Sequence, residues 1–392
     1  MLTVETFPKL QVLLAEHNLD GWLLFDFRGS NPIARAVLGD GIIGTRRVYV
    51  LIPRSGVPLA LIHEIDAELW NAWPDEWGKS VWVAERSLHQ VLAFHLQGLR
   101  VAVDTSPRGA SPYLDCVPAG AFEQLKQIDC KLLPSVDLVT RFLSVWTTEE
   151  CDSHERAAAK LAEIAEDTMR RVRVALAAGA PVTEYDVIRA IRQAFDQAGL
   201  ETEGTPSVCF GANAARNHYR PTESGCARIV PGEVLLVDLW AKEPGGIYAD
   251  QTWMASIGPP SERDAALWTV VRDARDAALG LLIERVRNRK PVTGADVDWA
   301  ARRVIAEAGW EGHIASRTGH SIDRFGLHGF GPPIDGTETR DERLLIPGVG
   351  FSVEPGIYIK GQTGVRSEVN AYVTANDVVV TPRSYQKYLT II

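Results

Sequence analysis

A chain of 392 residues, 46 % hydrophobic and 23 % charged, has the composition of an ordinary globular protein and the length for two domains with well-developed cores. Its formal charge is −9, and Lys and Arg are interleaved with Asp and Glu rather than massed, so neither nucleic acid nor an anionic membrane is an expected partner. No stretch approaches the ~18 apolar residues of a membrane span, the first ten residues lack a signal-peptide core, and the five cysteines are scattered without a Cys-x-x-Cys pair, so reduced thiols in the cytoplasm are expected.

Residues 10–17 read as a helix and residues 21–27 as a buried strand. Residues 28–45, rich in Gly and broken by Asn-Pro and Gly-Asp-Gly, read as a long loop or broken helix that closes on Arg46. Strands are expected over residues 48–52, 58–62, 80–83 and 100–103, and helical stretches over 65–70, 87–96 and 118–125, which makes residues 1–146 an α/β domain. The tryptophans at 70, 73, 77 and 82 read as core or interface filling.

Thr147 with Glu150 has capping-box spacing and opens a second domain, residues 147–392, with a long amphipathic helix to about residue 178. From there the chain repeats itself. Pro181-Val182-Thr183, Asp186-Val187, Ala190 and Ala198-Gly199 return as Pro291-Val292-Thr293, Asp296-Val297, Ala300 and Ala308-Gly309, at an offset of about 110 residues. Each copy reads as a helix started by Thr, boxed by Asp and ended by Gly. His218 corresponds to His328, Asp238 to Glu354, and Asp250 to Glu368.

Two halves packed about a pseudo-twofold axis would gather these four acids at the centre. Asp238 interrupts an apolar strand, Glu354 follows another (residues 349–353), and Glu368 sits in a third strand-like segment, residues 365–373. Buried carboxylates cost several kcal/mol unless paired or bound to a cation, and four in one place cannot all ionise without divalent charge. With His320 added, the set suits two metal ions. Its oxygen-rich composition favours Mn²⁺, with Co²⁺ or Zn²⁺ as alternatives, and implies metal-assisted hydrolysis.

The order Asp238, Asp250, His320, Glu354, Glu368, with Thr318-Gly319-His320-Ser321-Ile322, Val353-Glu354-Pro355-Gly356-Ile357-Tyr358 and Val365-Arg366-Ser367-Glu368-Val369 around the last three, resembles the creatinase, prolidase and aminopeptidase P family. The resemblance covers essentially the whole chain, since Asn31-Pro32, residues 46–53 and Gly56-Val57-Pro58 look like that family's N-terminal domain. It implies a creatinase-like α/β N-terminal domain and an α+β pita-bread catalytic domain with a pseudo-twofold repeat. It also implies that His218 contacts substrate near the scissile bond, that His328 is a second active-site histidine, and that Glu354 doubles as metal ligand and proton shuttle. The activity implied is that of an Xaa-Pro dipeptidase, a homodimer by family habit. Alternatives are an aminopeptidase P acting on longer Xaa-Pro peptides, a creatinase-like C–N hydrolase or lyase, and a binding protein on the same fold. Arg366 matches the family arginine. Arg46, at the end of the Gly-rich loop, is a candidate for the free carboxylate of a dipeptide. The chain departs from the family pattern at Trp253, where many relatives carry Arg, at Gly329, where many carry Glu, and in an interval from His320 to His328 that is one residue longer.

Overall fold

The computed structural model describes residues 1–42 and 44–392, and the chain divides into two compact units, Met1–Leu143 and Ser144–Ile392. The first unit is built on one mixed sheet. Its strands are β1 (Gly21–Phe27), β2 (Arg47–Pro53), β3 (Leu59–His63), β4 (Gly78–Trp82), β5 (Arg100–Val103) and β6 (Lys131–Pro134), in the order β4-β3-β2-β1-β5-β6. Helices α1 (Phe7–Glu16), α2 (Pro32–Leu38), α3 (Glu85–Leu96), α4 (Ala119–Leu125) and α5 (Val136–Val139) complete it. β1 is central: it pairs antiparallel with β2 and parallel with β5, and is buried on both faces along almost its whole length.

The segment expected as a loop or broken helix contains α2. Asn31 starts it by accepting hydrogen bonds from the Ile33 and Ala34 amides, with Pro32 in the first turn, where its missing N–H costs nothing. Ile43, in the same segment, lies outside the described residues. The tryptophans of residues 70–77 pack edge to face, with ring centroids 5.1 Å apart for Trp70–Trp73 and 4.7 Å for Trp73–Trp77. Trp70, Trp73, Trp77 and Trp82 are all buried, as core filling requires.

The second unit consists of two similar halves. The first runs α6 (Thr148–Ala177), α7 (Glu184–Ala198), β7 (Ser207–Phe210), β8 (Val234–Ala241) and β9 (Ala249–Ser256). The other runs α8 (Glu262–Arg287), α9 (Gly294–Glu307), β10 (Ser321–Ile322), β11 (Gly350–Val353), β12 (Gly356–Ile359), β13 (Thr363–Arg366), β14 (Val369–Val373) and β15 (Val378–Thr381), and the chain closes with β16 (Thr390–Ile391). Sheet order matches between halves: β7-β8-β9-β16 in one and β10-β11-β14-β15 in the other. The capping boxes at Thr147, Thr183 and Thr293 all form. Equivalent backbone bonds tie each half, from the Ile229 amide to the Val182 carbonyl (2.8 Å) and from the Leu345 amide to the Val292 carbonyl (2.9 Å). Across the centre, the Asp250 amide donates to Asn370 Oδ1 at 2.8 Å and joins β9 to β14.

One expectation is corrected. Residues 365–373 are not a single strand: the chain breaks at Ser367-Glu368, between β13 and β14, which belong to different sheets. The facing segment of the same chain breaks at the same level. Val353 pairs with Val369 on one side of the break and Gly356 with Arg366 on the other. Between them Pro355 has no amide to donate, the Glu354 amide turns to the Thr318 carbonyl (2.6 Å), and the Ser367 amide reaches the Pro355 carbonyl (3.3 Å). The ladder therefore bends where Glu354 and Glu368 stand, and both side chains leave from the corner.

His154, fully buried on α6, links this architecture to pH. Nδ1 lies 2.7 Å from the Tyr248 carbonyl and Nε2 2.7 Å from Thr381 Oγ1. A carbonyl can only accept, so Nδ1 carries the proton and Nε2 accepts from the hydroxyl. Burial pushes the ring pKa down from 6.5 to about 4. The unfolded ring thus takes up a proton that the native one refuses, and its contribution to stability, complete above pH 6.5, is lost as pH falls toward 4. Between these limits the loss should be on the order of 3 kcal/mol. Denaturant midpoints of metal-free wild type and His154→Asn at pH 7 and pH 4.5 check this: the wild-type-specific loss should vanish in the variant.

Candidate metal centre

β8 and β9 deliver the two aspartates. Asp238 pairs with Thr252 and Trp240 with Asp250, so the acids are diagonal neighbours on one face of the ladder. The bent corner delivers Glu354 and Glu368. His320 arrives at the start of β10, where its amide donates to Ser352 Oγ (3.0 Å) and the same hydroxyl donates to Glu354 Oε1 (3.0 Å). Gly319 permits this approach, because a Cβ there would fall inside the Ser352 carbonyl oxygen.

The five residues converge. His320 Nε2 lies 3.4 Å from Asp250 Oδ2 and 3.5 Å from Glu354 Oε1, and ligand atoms of Asp250, His320 and Glu368 all fall within 4.8 Å of one another. His320 Nδ1 faces the Ser321 carbonyl at 3.2 Å, which fixes the proton there and leaves the Nε2 lone pair for the centre. Arg366 holds the far side: Nη2 reaches Asp238 Oδ2 (2.6 Å), Nε donates to Thr252 Oγ1 (2.8 Å), and Nη1 lies 3.8 Å from Glu354 Oε2. Thr252 passes its own proton to Glu368 Oε2 at 2.7 Å. One guanidinium thereby orients three of the four acids, two directly and one through a hydroxyl.

This arrangement is short of positive charge. Burial, reinforced by Asp250, Glu354 and Asp238, raises the Glu368 pKa well above its ordinary value. Burial raises Asp238 to about 7 even against the pull of Arg366. For His320, burial opposes the charged ring, but the hydrogen bond and charge of Asp250 and the charge of Glu354 outweigh it, so its pKa rises. Asp250 Oδ1 and Glu368 Oε1 are buried with no hydrogen-bond partner. Two orphaned carboxylate oxygens beside an imidazole lone pair are what a divalent cation satisfies, and the residues fit that group.

The two other histidines are placed differently. The His328 ring stacks on His320 with centroids 4.0 Å apart and planes at 21°. The residue as a whole is solvent-accessible, but its ring is covered on the His320 side. That burial, with the charges of His320 and Arg317, lowers its pKa and keeps it neutral. His218 is exposed on the loop that follows β7. Arg46 belongs to the first unit and is exposed; its amide donates to Asp66 Oδ2 (2.8 Å), while Nη1 lies 3.1 Å from Thr45 Oγ1. Thr252 and Ser352 have no signal of their own in the sequence, although Thr252 stands two residues from Asp250 in β9, and hence on the same face, and Ser352 lies in β11 two residues before Glu354.

Comparisons with known proteins place the chain in a family and match its fold. The description of metallopeptidase family M24 matches residues 155–375. The chain is 28 % identical over 338 residues to the "Probable dipeptidase PepE" of Mycobacterium tuberculosis, covering 85 % of this chain and 83 % of that protein. It is 34 % identical over 169 residues to the Xaa-Pro dipeptidase of Lactobacillus helveticus, covering 43 % and 41 %. Its fold is similar to the crystal structure of dipeptidase PepE from Mycobacterium ulcerans, with a TM-score of 0.73 over 99 % of this chain and 98 % of the other at 24 % identity.

Proposed function

The chain belongs to metallopeptidase family M24, and from that premise we propose that it is an Xaa-Pro dipeptidase whose centre takes two divalent cations, Mn²⁺ in preference to Co²⁺ or Zn²⁺. The observation that carries the reading is the pair of buried, unpartnered oxygens, Asp250 Oδ1 and Glu368 Oε1, beside His320 Nε2. The names of the relatives, dipeptidase and Xaa-Pro dipeptidase, support the substrate class. The preponderance of oxygen donors supports Mn²⁺. A cytoplasmic homodimer is part of the same proposal, supported for its location by five unpaired cysteines.

Asp238, Asp250, His320, Glu354 and Glu368 would hold the ions, which when bound supply Lewis acidity to polarise the scissile carbonyl and acidify a water. The protein supplies the rest. Glu354 is more open than Asp250, with its side chain 16 % exposed against 7 %, and it is steadied by Ser352 at Oε1. It takes the proton of the attacking water and returns it to the proline nitrogen that departs. His328, neutral and stacked on His320, donates a ring N–H to the carbonyl oxygen as negative charge develops there. His218 contacts the substrate on the opposite, pseudosymmetric side.

His328→Ala should keep its metal content and lose on the order of 10²-fold in kcat, the usual effect of removing one oxyanion donor. Loss of metal instead would make His328 a ligand. Gly-Pro assayed beside a Gly-Pro-Xaa tripeptide tests the substrate class. Hydrolysis of the dipeptide is expected, and turnover confined to the tripeptide would favour aminopeptidase P.

A further inference from the structure

Glu184 is completely buried at the first turn of α7, and a glycine, Gly294, stands at the equivalent place in the second half. Its carboxylate is fully used. Oε1 accepts from the Phe210 amide (2.7 Å) and Asn213 Nδ2 (3.0 Å), and Oε2 accepts from the Tyr219 hydroxyl (2.8 Å) and the Ala227 amide (2.7 Å). A buried charge this well satisfied is held by its donors and by the positive end of the helix it starts. All four donors lie on one segment, residues 210–227, and that segment carries His218.

The same segment is registered against the metal-bearing strands. Ser207, the cross-strand partner of Asp238, lies 3.4 Å through Oγ from the Tyr219 carbonyl, one peptide unit beyond His218. Ala214 packs so closely on β13 that a Cβ on Gly364, two residues before Arg366, would overlap its carbonyl. His218 itself is exposed and, among the described residues, no hydrogen bond or ion pair steadies its ring. Its position is therefore set by the backbone, and the backbone is strapped at both ends of the loop by one carboxylate.

We propose that Glu184 is a positioning residue for His218, holding the 210–227 loop so that the imidazole meets the substrate. The proposal rests on the substrate-contacting role given to His218 above. In Glu184→Gln an amide oxygen can still accept two of the four hydrogen bonds, but the new NH₂ group faces two donors. The loop should loosen while the metal ligands stay in place.

The test is a double-mutant cycle on Xaa-Pro hydrolysis with Glu184→Gln, His218→Ala and the pair, reading kcat, KM and metal content. The expected result is unchanged metal content throughout, a fall of on the order of 10²-fold in kcat for His218→Ala, at least about tenfold for Glu184→Gln, and a double variant no slower than His218→Ala alone. A Glu184→Gln effect that persists in full without His218, or wild-type kcat in Glu184→Gln, overturns the proposal. Wild-type kcat in His218→Ala overturns the role of His218 and this proposal with it, whereas hydrolysis of Gly-Pro by the wild type tests the dipeptidase reading separately. Should Glu184→Gln fail to fold, Tyr219→Phe, which removes one of the four bonds, takes its place in the cycle under the same criteria.

Discussion

Glu368→Gln is expected to abolish metal retention and to lower kcat roughly 10³-fold or more, beyond the 10–100-fold typical of losing a group that merely orients a ligand. The metal-free variant should nonetheless be at least as stable as metal-free wild type. Glu368 Oε2 is satisfied by Thr252, but Oε1 is buried without a partner and faces three further acids. An amide keeps the Thr252 contact through its oxygen and removes a charge that the empty centre cannot neutralise. Stability and function should thus move apart, as they do when a site stores unfavourable charge for a ligand. Metal analysis beside thermal unfolding in the absence and presence of Mn²⁺ checks this. A metal-free variant markedly less stable than wild type would mean that Glu368 is a structural acid.

Arg366 should behave in the opposite sense. Its guanidinium is the cation beside Asp238 (2.6 Å) and, through Thr252, it orients Glu368. Arg366→Met leaves Asp238 buried without its partner, a change that typically costs about 3–5 kcal/mol. Unfolding of the metal-free protein should show that loss, and activity should fall because three acids lose their orientation. Arg366→Lys should rescue little of either, since one ammonium cannot reach Asp238 and Thr252 with the planar geometry of Nη2 and Nε. Near-complete rescue by Lys would show that only the charge matters at this position.

The internal repeat is legible in the sequence because it is written in local chemistry: Thr183 with Asp186 and Thr293 with Asp296 are capping boxes that any helix start would reuse. The acids are legible for another reason, since a carboxylate in an apolar strand such as 234–241 has no cheap explanation other than a cation. What escapes is long-range. Residues 365–373 carry a continuous strand pattern, and nothing local announces the break at Ser367-Glu368; it follows from Pro355 and Thr318, more than ten residues away on the partner segments. Glu184 reads as an ordinary first-turn acid of α7, and its grip on residues 210–227 appears once the loop has folded back on the helix. In the first unit, glycines on either side of the short, well-capped α2 obscure it in the sequence.

The most direct measurement is a titration of chelated protein with Mn²⁺ while Gly-Pro hydrolysis is followed. The proposed centre gathers four carboxylates and an imidazole as candidate ligands, with no nucleophile of its own poised among them, so no turnover is expected in the chelated protein, and activity should rise to a plateau as two equivalents bind. Full activity in the chelated, metal-free protein would mean that these five residues are not a catalytic metal centre.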